Sequence, residues 1–160
     1  MADLKKLFNE LNYKSVTTYI QSGNVIFDTD NKTRNFEIED RIEKSIKEYC
    51  GFDVPVIVRT EKELYQTIVN SPFVENAEIE RLHLTFLKGK PDDEYLEKIR
   101  EYDFAPDKFE IQENNVFVYC SGKYSDSKLT NKFFESKLKT QATTRNWKTV
   151  LKLSELIKTT

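Results

Sequence analysis

Leu82-His83-Leu84-Thr85-Phe86-Leu87-Lys88 sets Leu82, Leu84 and Phe86 on one face of an extended chain and His83 on the other, the period-two pattern of a strand. The elements on either side of this strand settle the architecture. Gly89-Lys90-Pro91 is a turn, and Tyr95, Ile99 and Tyr102 mark a helix introduced by Pro91 and Asp92. Strands are expected over 109–112 and 116–120, around a hairpin turn at Glu113-Asn114-Asn115. Past the serine-rich loop 121–127, Leu129, Phe133, Phe134 and Leu138 make another helix, and a final helix ends the chain. This half therefore reads β-α-β-β-α plus a helix.

Upstream of Leu82 the same kinds of element occur in a related order. Leu4, Leu7, Phe8 and Leu11 have the i, i+3, i+4, i+7 spacing of an amphipathic helix. Residues 16–20 and 25–28 read as two strands about Gln21-Ser22-Gly23-Asn24, either a hairpin or one bent strand with a bulge. Ile38, Ile42, Ile46 and Tyr49 define a second helix, which Gly51 can end in a left-handed cap. Val54, Val56, Ile57 and Val58 make 54–58 a mostly β-branched run that predicts a buried strand, and Thr60 with Glu63 forms a capping box before a third helix carrying Leu64, Ile68 and Val69. The first half thus reads α-β-β-α-β. One strand placed ahead of Met1 would make it β-α-β-β-α-β, the ferredoxin-like unit.

The expected fold class is α+β, with two ferredoxin-like units related by duplication and the first lacking its first strand. The expected division is 1–72, a first unit plus connecting helix, and 80–160, a second unit with the C-terminal helix, packed as one globular protein. Loss of an interior strand would leave two strands without a partner, and such edges invite pairing with another chain.

A chain of 160 residues is long enough for a sizeable core, and 38% hydrophobic residues are enough to fill one. With 32% charged residues and a mean hydropathy of -0.64, the exterior is well solvated. Apolar runs fall short of the ~20 residues that cross a bilayer, and Asp3, Lys5 and Lys6 interrupt any signal-peptide core, so a cytoplasmic protein with no membrane partner is expected. Cys50 and Cys120 belong to no C-x-x-C pair and are expected to be reduced, and His83, the single histidine, has no companion ligands, so no metal site is expected. The net charge of -2 is unevenly spread: residues 121–160 carry nine lysines and arginines against three carboxylates. That surplus can draw a polyanion to one end of the molecule, although a pI of 5.6 is unlike a dedicated nucleic-acid domain.

The most chemically suggestive stretch is Ala142-Thr143-Thr144-Arg145-Asn146-Trp147-Lys148-Thr149-Val150-Leu151-Lys152-Leu153. Thr144 is a good N-cap for a helix with Trp147, Val150, Leu151 and Ser154 on one face. Unpaired N–H groups at that start, the hydroxyls of Thr143 and Thr144 and the guanidinium of Arg145 would form an anion site. The alternative is a capped helix with Trp147 in the core and Arg145 paired to a surface carboxylate.

Five segments carry a resemblance to a known family: residues 1–8, 18–25 and 70–73, Ser127-Lys128-Leu129-Thr130-Asn131, and Ala142 through Leu153. Together they resemble the bacterial DUF1697 family over essentially the whole chain. The resemblance implies a pair of related ferredoxin-like α+β units, and leaves function open, since the family is defined by its unknown function. Members usually begin with a strand and a Gly-containing loop ahead of the residues matching Met1. The expectation is that Met1 is an internal methionine, or that the chain was trimmed there, and that a site shared with that loop is incomplete.

Three functions are compatible with these features. The first is a binding module for a phosphate-bearing ligand, a nucleotide or nucleic acid, at Thr143, Thr144, Arg145 and Asn146, with Ser22, Asn24 and Lys123 as further candidates. Tyr119 or Phe117 could stack a base or simply fill the core. The second is an enzyme of unknown reaction using Arg145 and Asn146 for charge stabilisation, with Ser22 on an exposed turn; no base stands at a readable spacing. The third is a structural or interaction protein working through an unpaired sheet edge. The sequence names no cofactor.

Overall fold

A computed structural model describes residues 2–19, 23–30, 32–73 and 78–159. The chain divides into two compact units, Met1–Glu61 with Lys152–Thr160, and Lys62–Leu151. Both contain helices and antiparallel strands, so the class is α+β.

In the first unit, α1 (Ala2–Glu10) turns Leu7 and Phe8 inward, as its spacing requires. β1 (Lys14–Tyr19) and β2 (Asn24–Asp28) pair antiparallel, and the turn uses Gly23 at φ 82°, where a Cβ would be strained. The register shifts between Lys14 and Thr17, beside Ser15 at φ 52°. The result is a hairpin that also carries a bulge. α2 (Asn35–Cys50) buries Ile38, Ile42 and Ile46. It ends at Gly51, φ 84°, whose N–H donates to the Lys47 carbonyl at 2.8 Å. Tyr49, expected on the apolar face, is exposed instead. The core joins Leu7, Phe8, Tyr13, Val16, Ile38, Ile42 and Ile46, with Phe27 edge-on to Phe8 at 5.1 Å.

The strand expected over 54–58 does not form: this stretch lies in no ladder among the described residues. Pro55 has no N–H to give, and the Val56 N–H donates to Glu43 Oε1 at 3.1 Å. The β-branched residues express themselves only as packing, with Val54, Val56 and Val58 resting on the core.

The second unit opens with α3 (Glu61–Val69), which buries Leu64 and Thr67. Then come β3 (Leu82–Leu87), α4 (Asp93–Ile99), β4 (Lys108–Gln112), β5 (Asn115–Tyr119), α5 (Asn131–Leu138) and β6 (Ala142–Asn146). The strands form one antiparallel sheet in the order β4-β5-β3-β6, so the first strand in the chain lies between the third and the fourth. This β-α-β-β-α-β run is the ferredoxin-like succession. Leu87, Val116, Val118 and Ala142 on one face of the sheet pack with Ile99, Phe134 and Leu138 of α4 and α5. Leu84 and Phe117 are buried on the opposite face, where Phe117 meets Trp147 at 6.4 Å between ring centroids. Phe117 is therefore core, and full burial of such a side chain contributes about 1.5–3 kcal/mol.

The end of the chain differs from the expectation. Residues 142–146 are not the cap of a helix but β6, paired with β3 from Ala142 opposite Leu87 to Asn146 opposite His83. The β-branched pair Thr143-Thr144 suits a pleated strand, and β3 offers an edge to join. α6 (Trp147–Thr159) begins directly afterwards, and its cap is Asn146, whose Oδ1 accepts from the Thr149 N–H at 2.8 Å. Trp147 and Val150 are buried, whereas Leu151 is exposed.

Candidate functional site

Because Thr143 to Asn146 form a strand, their side chains alternate instead of converging. Thr143 and Arg145 share the face of Leu84 and Phe86; Thr144 and Asn146 share that of His83 and Thr85. Thr144 is occupied structurally. Its hydroxyl lies 2.8 Å from the hydroxyl of Thr85, which is wholly buried, and donates to Asn131 Oδ1 at 2.8 Å. Asn131 in turn donates from Nδ2 to the Ala142 carbonyl at 2.6 Å, fastening α5 to β6. Asn146 is exposed but commits its Oδ1 to the helix cap.

Arg145 is the member of the set with binding character. Nη1 donates to Thr143 Oγ1 at 2.8 Å and to the Thr144 carbonyl at 3.0 Å. The acceptors of these two bonds are neutral, and burial pulls the guanidinium pKa below its ordinary value. The result is an oriented, partly desolvated cation on an end strand of the sheet. Thr143 holds it and is itself half-buried.

The other expected residues fall elsewhere. Lys123 is exposed and precedes a 3-10 turn, Tyr124–Asp126. Tyr124 stacks on His83 at 4.4 Å, at the end of the sheet where Asn146 is the ladder partner of His83. Burial pushes the His83 pKa down, against an opposing pull from the Arg81 backbone. Asn24 belongs to the first unit and does turn chemistry, donating from Nδ2 to the Tyr19 carbonyl at 3.2 Å. Ser22 lies outside the described residues. Tyr119 is half-buried, with Phe73 at 6.4 Å between ring centroids.

Two clusters have no counterpart among the residues expected from the sequence. Asp107 accepts from the Ser121 N–H at 2.8 Å, the Ser121 hydroxyl at 2.8 Å and the Ser127 hydroxyl at 2.7 Å. Burial pushes its pKa up, but the three hydrogen bonds outweigh that and hold the carboxyl below its usual range. Beside it, burial pushes the Cys120 thiol up, which leaves it unreactive; Cys50 is exposed, and both are free. A cavity of about 560 Å³ opens near Tyr102, Phe104, Asp107 and Phe109 and shares no residue with the set expected from the sequence. The other is the hydroxyl and amide chain through Asn131, whose one sequence signal is its place in the Ser127–Asn131 segment that resembles the family. Among the described residues no cluster of His, Cys, Asp and Glu could hold a metal ion, and no helix is long and apolar enough to cross a membrane.

A sequence model of the family described as "Protein of unknown function (DUF1697)" matches residues 1–117. The chain belongs to the DUF1697 family. The match takes in β1, β2 and the Asn70–Phe73 segment of this DUF1697 protein but stops short of Ala142–Leu153, so the terminal stretch is not what carries the membership. A solved structure, that of the conserved bacterial protein SP0830 from Streptococcus pneumoniae, is similar in fold with a TM-score of 0.78 and 20% identity, over 99% of this chain and 88% of that one. No curated protein matches the chain. For a DUF1697 protein, membership and fold leave the activity to be argued from the site.

Proposed function

We propose that this DUF1697 protein is a binding module for a phosphate-bearing ligand, a nucleotide or nucleic acid, with Arg145 on β6 as the principal cation. The observation that carries this reading is the held guanidinium: two hydrogen bonds to neutral oxygens fix its plane, and its partial burial strengthens any charge pair it makes. Thr143 positions Arg145 and presents a hydroxyl beside it. The basic surplus of residues 121–160, including exposed Lys123 and Lys148, would draw the ligand to this end of the chain. Thr144 and Asn146 are assigned here to the sheet and the cap rather than to ligand.

Titration of a labelled single-stranded oligonucleotide and of ATP, each at low and moderate salt, tests this. Affinity should fall as salt rises, and Arg145→Gln should weaken binding about tenfold and lower the salt slope for the oligonucleotide by roughly one. Asn146→Ala should leave affinity unchanged. Affinity that is absent, or insensitive to salt, refutes the proposal.

A further inference from the structure

The sheet of the second unit ends in two edge strands, β4 and β6, and the two edges differ. In an antiparallel ladder, residues that exchange main-chain hydrogen bonds with one neighbour alternate with residues that point to the other side. Beside β6, the Lys88 N–H donates to the Gln141 carbonyl at 2.8 Å, so Thr143 and Arg145 turn their main-chain groups to β3, while Ala142 and Thr144 turn theirs outward. Side chains have taken those outward groups. Asn131 Nδ2 donates to the Ala142 carbonyl, the Ala142 N–H donates to Glu135 Oε2 at 3.4 Å, and Arg145 Nη1 donates to the Thr144 carbonyl.

The edge at β4 is open. The Leu87 N–H donates to the Asn114 carbonyl at 2.9 Å and the Cys120 N–H to the Arg81 carbonyl at 2.8 Å, which fixes Val116 and Val118 as the residues through which β5 bonds to β3. Asn115, Phe117 and Tyr119 therefore bond to β4 through Gln112, Glu110 and Lys108, and the main-chain groups of Phe109 and Ile111 point away from the sheet. Among the described residues those groups have no hydrogen-bond partner. The cavity of about 560 Å³ lies beside this edge, with Phe109, Ile111, Tyr102 and Phe104 in its wall. Its charged lining residues divide into two sets. The carboxylates are engaged: Asp103 accepts from the Ala105 N–H at 3.0 Å, Asp107 from its three donors, and Glu110 from Gln112 Nε2. Arg100 and Lys108 make no hydrogen bond or ion pair among the described residues.

We propose that the second unit binds the C-terminus of another protein, an extended segment with apolar residues at its last and third-last positions, added to β4 as an antiparallel strand. Antiparallel addition brings the end of that segment to Lys108, at the start of β4. The last residue stands opposite Phe109 and the third-last opposite Ile111, each exchanging main-chain hydrogen bonds, and the Phe109 N–H donates to the terminal carboxylate. Arg100 and Lys108 meet the charge of that carboxylate. The two apolar side chains share the face of Phe109 and Ile111 and enter the aromatic cavity, and the residue between them lies across from Glu110, which favours lysine or arginine there. A second copy of this chain is a poor occupant: the antiparallel register that uses Phe109 and Ile111 of both β4 strands sets Glu110 directly against Glu110, and like charges so placed are destabilising. This site shares no residue with the one around Arg145, and neither proposal depends on the other.

Fluorescence anisotropy and backbone NMR on the whole 160-residue chain test it. The probe is a short labelled peptide ending in valine-lysine-valine with a free carboxylate, and the control is the same peptide with a C-terminal amide. The acid peptide should bind and slow exchange of the Phe109 and Ile111 amides about tenfold, the slowing reached when roughly nine in ten molecules are occupied. The amide peptide should bind about tenfold more weakly, and so should the acid peptide to the double variant Arg100→Gln with Lys108→Gln. No binding at millimolar peptide, equal affinity for the two peptides, unaltered affinity in the double variant, or protection that spares Phe109 and Ile111 overturns the proposal. So does protection of these two amides that appears without peptide as the protein concentration is raised, because a second copy then occupies the edge.

Discussion

Replacing Thr144 by valine separates a structural threonine from a ligand-binding one. The substitution keeps the shape of the side chain and removes only the hydroxyl that joins Thr85 to Asn131. Asn131 is half-exposed, so water replaces part of what it loses, and that bond is worth about 1 kcal/mol. Thr85 is 0% exposed, and stranding its hydroxyl costs about 1–3 kcal/mol more, for a total of about 2–4 kcal/mol. Removing both hydroxyls, as Thr85→Val with Thr144→Val, strands nothing inside and should cost only about 1 kcal/mol. The double-mutant cycle should therefore show a coupling of about 1–3 kcal/mol. Urea unfolding followed by Trp147, the sole tryptophan and the first residue after β6, reads the right unit, with the transition midpoint moving at unchanged slope. A single mutant within about 0.5 kcal/mol of the parent, or additive effects in the double mutant, would refute the assignment of Thr144 to the core.

Three further outcomes are expected. Asn146→Ala removes the acceptor of the Thr149 N–H and should destabilise by about 1 kcal/mol in the same urea assay, with Asn146→Asp restoring the cap. The imidazole signals of His83, the single histidine, should titrate in NMR with a midpoint below 6.5. Since the unfolded chain takes up that proton first, stability should fall as pH drops from about 6.5 toward the folded pKa and level off below it. The depressed pKa of Asp107 acts at lower pH: its contribution is present above the unfolded value of about 3.9 and lost as pH falls through the folded pKa, so Asp107→Asn should flatten the acid limb of a stability-against-pH curve.

Much of the fold was legible because its determinants are local. Ile38, Ile42 and Ile46 announce α2 by spacing, Gly51 announces its end, and the alternation of Leu82, Leu84 and Phe86 announces β3. β6 was not legible, and the reason is physical. Ala-Thr-Thr-Arg-Asn shows no apolar alternation, threonine serves equally as a helix cap or a strand residue, and the deciding partner, β3, lies about 60 residues upstream. The 54–58 stretch errs in the other direction: Val54, Val56, Ile57 and Val58 have the side chains of a strand, but a strand requires a neighbour, which composition cannot supply. The same ambiguity governs the candidate site: a helix start would aim Thr143, Thr144, Arg145 and Asn146 together, and a strand sends them to two faces. Arg145 survives that correction because Thr143 is two positions away and on its side.

The interior place of β3 also sets an order of events during synthesis. β3 leaves the ribosome before either neighbour, with β5 about 30 residues behind it and β6 about 60. At a translation rate of about 5–20 residues per second, the edge that β6 will cover stays open for roughly 3–12 s, on a strand that carries Leu82, Leu84, Phe86 and Leu87. Each nascent chain passes through an interval in which its most buried strand is its stickiest, so chaperone demand should rise when translation pauses between residues 120 and 146.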